Sequence, residues 1–250
     1  MTRMRITAWA LALCWPWASF AGEVIGEVRD VDTGRLLYTE HHQQTLAADG
    51  AVLSEVARYL SPQGAELGRK TLDFKQHRTI PRYRMDLPRQ GYAEGIREVG
   101  KEVLSFKADQ GREASQAWPL PKGLVAADSG FNQLLLDQMS RLKAGETVSF
   151  VLIVPGKLDQ FHFRARKVSE APLNGVPTLR VKVEPDSMLR WLVAPIELAY
   201  DASGTKLLQY IGISNVLDPA TGKVYPRVQI RYVEPVPNEP PTSSSARPLR

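Results

Sequence analysis

Asp201–Val233, DASGTKLLQYIGISNVLDPATGKVYPRVQIRYV, decides the reading of this chain. Two runs rich in Leu, Ile, Val and Tyr, Lys206–Asn215 and Lys223–Tyr232, flank a turn around Asp218 and Gly222. Short β-branched and aromatic runs between Asp, Gly and Pro clusters mark strands joined by turns. A third strand, Ala194–Tyr200, precedes them across the Ala202-Ser203-Gly204 turn. The pattern recurs along the chain. It predicts a mainly β protein, an antiparallel curled sheet or barrel-like body, with a two-sheet sandwich as the alternative.

Upstream, Glu23–Arg29 and Leu36–Gln43 read as a hairpin around Asp32-Thr33-Gly34. Ala51–Leu60 fits either a strand or a helical face and is read as a strand, because Ser61-Pro62-Gln63-Gly64 follows it as a turn. Pro81–Leu87 alternates Tyr83, Met85 and Leu87 with charged residues, as a half-buried strand does. Gly91–Val99 and Lys101–Lys107 pair next, and Trp118–Lys122 is read as a loop. Beyond it, Glu146–Val154, Leu158–Val168 and Pro177–Glu184 are further strands, with Asn174-Gly175 as a tight turn and a short helical turn at Asp186–Leu192.

One helix interrupts the strands, at about residues 128–144. Phe131, Leu134, Leu135, Met139 and Leu142 recur at spacings of three and four, forming one apolar stripe. Asp128 or Ser129 is placed to cap its start and Gly145 to end it. Such a helix packs across a sheet or plugs the end of a barrel.

The N-terminus has the form of a secretory leader. Met1–Arg5 is basic, Ile6–Trp17 is a short apolar run, and Ser19-Phe20-Ala21 puts small residues where a signal peptidase cuts. The run is too short to span a bilayer. Residues 1–21 are therefore expected to be removed after Ala21, with the mature protein in the periplasm. Residues 22–233 then form a single β-rich domain, and the Pro/Ser-rich residues 234–250 a disordered tail. The sole cysteine, Cys14, lies in the leader behind a bulky Leu13, a poor lipoprotein site. Disulfides and thiol chemistry are thus not expected of the mature chain.

The 250 residues are 43% hydrophobic and 24% charged, ordinary for a globular protein. Net charge is +5, and loss of Arg3 and Arg5 leaves about +3. So small and scattered an excess argues against nucleic acid as a partner. The strands lack the aromatic girdles of an outer-membrane barrel, so an integral membrane protein is not expected.

Phosphate-binding glycine loops, HExxH and GxSxG are all missing from the sequence. No catalytic residue, cofactor or metal site is assigned on this basis. Two candidate ligand-binding groups remain. Tyr38, Glu40 and His42 alternate on one strand and so share a face, with a carboxylate beside an imidazole. Tyr210 and Ser214 share a face with Gly212, and Asn215 follows at the strand end, where polar residues often rim a barrel mouth. Asn215 and Asp218 are also placed to bind backbone groups at the turn. The same face supports a second reading, an envelope hydrolase using Glu40 and His42. Other noted side chains are Tyr92, Trp118 and Trp191, and a local run of Arg78, Arg82, Arg84 and Arg89.

Three phrases, DVDTGRLLYTEHH, GFNQLL and LLQYIGISNV with VQIRY, resemble uncharacterised exported proteins of Gram-negative bacteria with a β-rich, barrel-like domain of unknown function. The resemblance spans about residues 22–233. It implies export and a β fold, and transfers no catalytic residue. The function expected is an exported binding protein holding a lipid or other hydrophobic small molecule, or a module engaging an envelope protein.

Overall fold

Backbone hydrogen bonding in a computed structural model joins fifteen strands into one continuous sheet, and the structure describes residues 19–20, 23–128, 130–186 and 194–233. The chain enters mid-sheet at β2 (Val24–Asp30). It then meanders through β3 (Leu36–Leu46), β4 (Val52–Leu60), β5 (Glu66–Asp73) and β6 (Arg82–Leu87). β7 (Tyr92–Val99), β8 (Glu102–Asp109) and β9 (Arg112–Pro119) carry it to one edge. It crosses to the opposite edge through β10 (Val125–Ala127), α1 (Gly130–Asp137) and α2 (Met139–Lys143). From there β11 (Val148–Val154), β12 (Asp159–Glu170), β13 (Thr178–Pro185), β14 (Ile196–Asp201), β15 (Leu207–Gly212) and β16 (Val228–Val233) return to lie beside β2. β10 runs parallel to β11, and the other neighbours are antiparallel. A two-residue β1 (Ser19–Phe20) pairs with the end of β3.

The sheet curls without closing, since β9 and β10 do not pair. The curl brings the β10 edge against the connection between β5 and β6. The Ala127 amide donates to the Thr79 carbonyl at 2.9 Å, and the Thr79 hydroxyl to the Val125 carbonyl at 2.6 Å. Gly130, the first residue of α1, abuts the Thr79 carbonyl so closely that a Cβ there would collide with it. Gly68 and Gly95, flanking β6, leave similar room for the Asp86 and Tyr83 carbonyls, where side chains would block the coiling.

The predicted hairpins are present, with positive φ at Gly34, Asn174, Gly175 and Gly204. Several boundaries shift. The helix is broken at Gln138 into α1 and α2. The Asp128 carboxylate, at the start of α1, pairs with Lys70. Trp118 and Pro119 belong to strand β9 rather than to a loop. The expected strands Lys206–Asn215 and Lys223–Tyr232 shorten to β15 and β16, with a small Leu217–Val224 bridge in the intervening loop. The leader apart from β1, Ser129, the turn expected at Asp186–Leu192 apart from Asp186, Trp191 and the tail lie outside the described residues.

Two cores result. Leu134, Leu135, Met139 and Leu142 of the helices pack with Phe150, Leu179, Val181 and Tyr200 of β11, β13 and β14. A second cluster joins β2–β8 with Val216, Val228 and Ile230. β11 serves both: Val148 and Phe150 enter the first core, Val151 and Ile153 the second.

Candidate functional site

Where the helices do not fill the curl, an open cavity of about 1530 Å³ remains. The alternation of β3 sets one wall: Tyr38, Glu40, His42, Gln44 and Leu46 all face it. Strand β2 contributes Gly26, where a Cβ would lie only 3.3 Å from Glu40 Oε2. The other walls carry Glu55, Tyr59, Lys70, Tyr83 and Glu94 from β4–β7, and Tyr210, Ile230 and Tyr232 from β15 and β16. Phe131, Leu136, Leu152 and Leu207 add an apolar side.

All six residues singled out in the sequence lie on this cavity, across strands and a loop distant in the chain. The Tyr38 and Ser214 hydroxyls meet at 2.7 Å, both buried. Ser214 Oγ also accepts the Val216 amide at 2.9 Å, which fixes the loop after β15. The Tyr210 ring folds back over Gly212, and its hydroxyl donates to the Ile213 carbonyl at 2.8 Å. Asp218 caps its own turn as expected, accepting the Ala220 amide at 2.9 Å. Asn215 does not; its amide reaches across the cavity wall to Asp128 Oδ2 at 3.1 Å. His41 points to the other face of β3 and bonds Glu23.

His42 is held at both ring nitrogens. Nδ1 lies 3.0 Å from Glu55 and Nε2 3.1 Å from Glu40. Two carboxylate acceptors require two N–H donors, so the ring is an imidazolium. Burial works against that charge, but the Glu55 carboxylate, with Glu40 beside it, outweighs burial and lifts the pKa to about 10. Glu55 is correspondingly lowered: burial raises it, and the His42 charge and hydrogen bond more than offset that. The Gln44 amide donates to Glu55 at 2.6 Å, completing the chain.

Three participants had no distinguishing sequence signal. Lys70 and Asp128, 58 residues apart, form an ion pair at 2.7 Å with side chains only 7% and 2% exposed. Burial pulls the Lys70 pKa down, and the Asp128 carboxylate overcomes it, so the ammonium persists. Glu94 accepts the Tyr83 hydroxyl at 3.2 Å and the Tyr92 hydroxyl at 2.5 Å. Burial raises its pKa above the ordinary carboxylate value. The only clue lay in parity: Lys70 alternates with the apolar Leu72 and Phe74, and so shares their inward face.

Of the noted arginines, Arg78 reaches the cavity rim, and Arg82 and Arg84 do not line it. Arg78, Arg82 and Arg84 pair with Asp137, Asp73 and Asp86 at part-exposed sites, as solvated charges do. Among the described residues, no group of three or more His, Cys, Asp or Glu side chains is arranged to hold a metal ion. No helix among them is long and apolar enough to cross a membrane.

No family model and no curated protein matches the chain. Among solved structures, the fold is similar to that of a beta-barrel-like protein of domain of unknown function DUF1849 from Brucella abortus. The TM-score is 0.50, over 88% of this chain and 97% of that one, at 6% sequence identity. The likeness is one of fold, and its source is what the sequence resemblance implied: a β-rich domain of unknown function from a Gram-negative bacterium.

Proposed function

We propose that this is a periplasmic binding protein whose cavity holds one amphipathic molecule, lipid-like in its apolar part. The observation that carries this reading is the 1530 Å³ cavity, walled on one side by apolar side chains and on another by a satisfied polar network. Ligand sites typically combine an apolar lining with a few fixed polar groups. The polar network is ordered before any ligand arrives, because its members bond one another. An interaction module with a filled barrel would need no such space. Export rests on the leader; cleavage after Ala21 removes β1, which pairs only with the end of β3.

The hydrolase reading has one point in its favour, since Glu40 and His42 do meet a third polar group, Glu55, at the cavity. The arrangement counts against general-base chemistry there. Both nitrogens of His42 are donors to carboxylates, so neither offers a lone pair.

A long-chain fluorescent amphiphile titrated into the full chain tests the binding reading. Saturable binding of one probe per chain is expected, weakened at least tenfold by Leu208→Trp, which places an indole in the cavity. Absence of saturable binding, or binding indifferent to that change, overturns it.

A further inference from the structure

The cavity wall carries more acid than base. Its buried and half-buried charges are Glu40, Glu55, Glu94 and Asp128 against His42 and Lys70. Each base already has carboxylate partners: His42 holds Glu40 and Glu55, and Lys70 holds Asp128. At the rim, Glu23 and His41 share a hydrogen bond, Arg78 pairs with Asp137, and Lys206 also lies there.

Glu94 stands apart. It is 8% exposed and faces the cavity, and its hydrogen-bond partners among the described residues are two phenols. Among the described residues no cation lies within ion-pair distance of it. Lys107, its cross-strand neighbour, sits over the Tyr92 ring at 5.6 Å, and Lys70 is held by Asp128. Burial raises its pKa, and the Tyr92 and Tyr83 hydroxyls, donating to its two oxygens, act the other way by favouring the carboxylate. Gly156 packs close beside Oε2, where a Cβ would collide with it. A buried carboxylate with hydrogen bonds but no counter-charge leaves the wall short of one positive charge. The same cavity presents the rings of Tyr38, Tyr59, Tyr83, Tyr210 and Tyr232. Tyrosine rings and carboxylates together are the surroundings that suit an organic cation, through ring-face attraction and charge.

We infer that the ligand's polar end is an organic cation, an amine or quaternary ammonium on an apolar body, and that Glu94 supplies its counter-charge. This rests on the binding-protein reading above and specifies what that cavity takes. A carboxylate-headed ligand would meet that excess of buried acids.

The test compares three chain-matched probes on the full chain by calorimetry, each below its micellar concentration: decyltrimethylammonium, decanoate and neutral decyl maltoside. The cation is expected to bind at least tenfold more tightly than decanoate and more tightly than the maltoside. Glu94→Gln is expected to reduce the cation-over-neutral preference about tenfold. Decanoate or maltoside binding as tightly as the cation overturns the inference while leaving the binding reading intact. Failure of all three to bind overturns both. The wild-type comparison decides even if Glu94→Gln does not fold.

Discussion

The two halves of the curl solve the same geometric problem differently. On the β11–β14 side, α1 and α2 fill the concave face with Leu134, Leu135, Met139 and Leu142, and the interior is an apolar packed core. On the β3–β7 side no element among the described residues fills it, and the wall carries a carboxylate–imidazolium–carboxylate chain, a buried lysine pair and Glu94. One half is stabilised by apolar burial; the other holds ionic groups that add little net stability and fix a unique arrangement. The unfilled half is therefore the functional candidate, and the filled half its support.

The largest expected effect comes from breaking the ionic half. His42→Ala leaves Glu40 and Glu55 buried beside each other without a cation and is expected to cost about 4 kcal/mol, measured by urea unfolding. Joint Glu40→Gln and Glu55→Gln changes in that background should restore part of the loss. In the filled half, Leu142→Ala, at a residue with 0% exposure, should cost about 3 kcal/mol, and the folded variant should still bind the fluorescent amphiphile. A His42→Ala no more costly than an exposed substitution would show that the ionic wall is not formed.

The pH dependence sharpens the contrast. The His42 pKa is raised from 6.5 to about 10, so its contribution is complete below about pH 6.5 and lost as pH rises through 10. Glu55 is lowered from 4.5, so its contribution is present above that pH and lost as pH falls. Stability should thus fall by on the order of a few kcal/mol between pH 7 and pH 10.5 in the wild type, and by less in His42→Gln. Denaturation at the two pH values measures it. By NMR, the His42 ring should keep both N–H protons at pH 8. His77, whose pKa burial lowers and whose Nδ1 accepts the Ile80 amide, should be neutral there. Smallest is Ser214→Ala, which strips partners from the buried Tyr38 hydroxyl and the Val216 amide and should cost about 2 kcal/mol.

Much of the β half of this picture was legible. Asn174-Gly175, Gly34 and Gly204 marked turns because few residues tolerate positive φ. The row Tyr38, Glu40, His42 followed from strand parity alone. β9 was missed because REASQAWP is an edge strand exposed along nearly its whole length, with no apolar alternation to betray it. β10 has only three residues and pairs in parallel across the crossover, which local sequence does not encode. Lys70 and Glu94 went unnoticed because isolated charges on a strand ordinarily face water, and Asp128 was read only as a helix cap. Their burial depends on the curl bringing β5, β7 and the start of α1 to one cavity.

The most direct test is native mass spectrometry of the full chain purified gently from cells that export it, followed by denaturing extraction. The account predicts one tightly held small molecule per chain, amphipathic and bearing a cationic nitrogen, released on unfolding. A bare chain mass, with no uptake of added long-chain amphiphile, would contradict it.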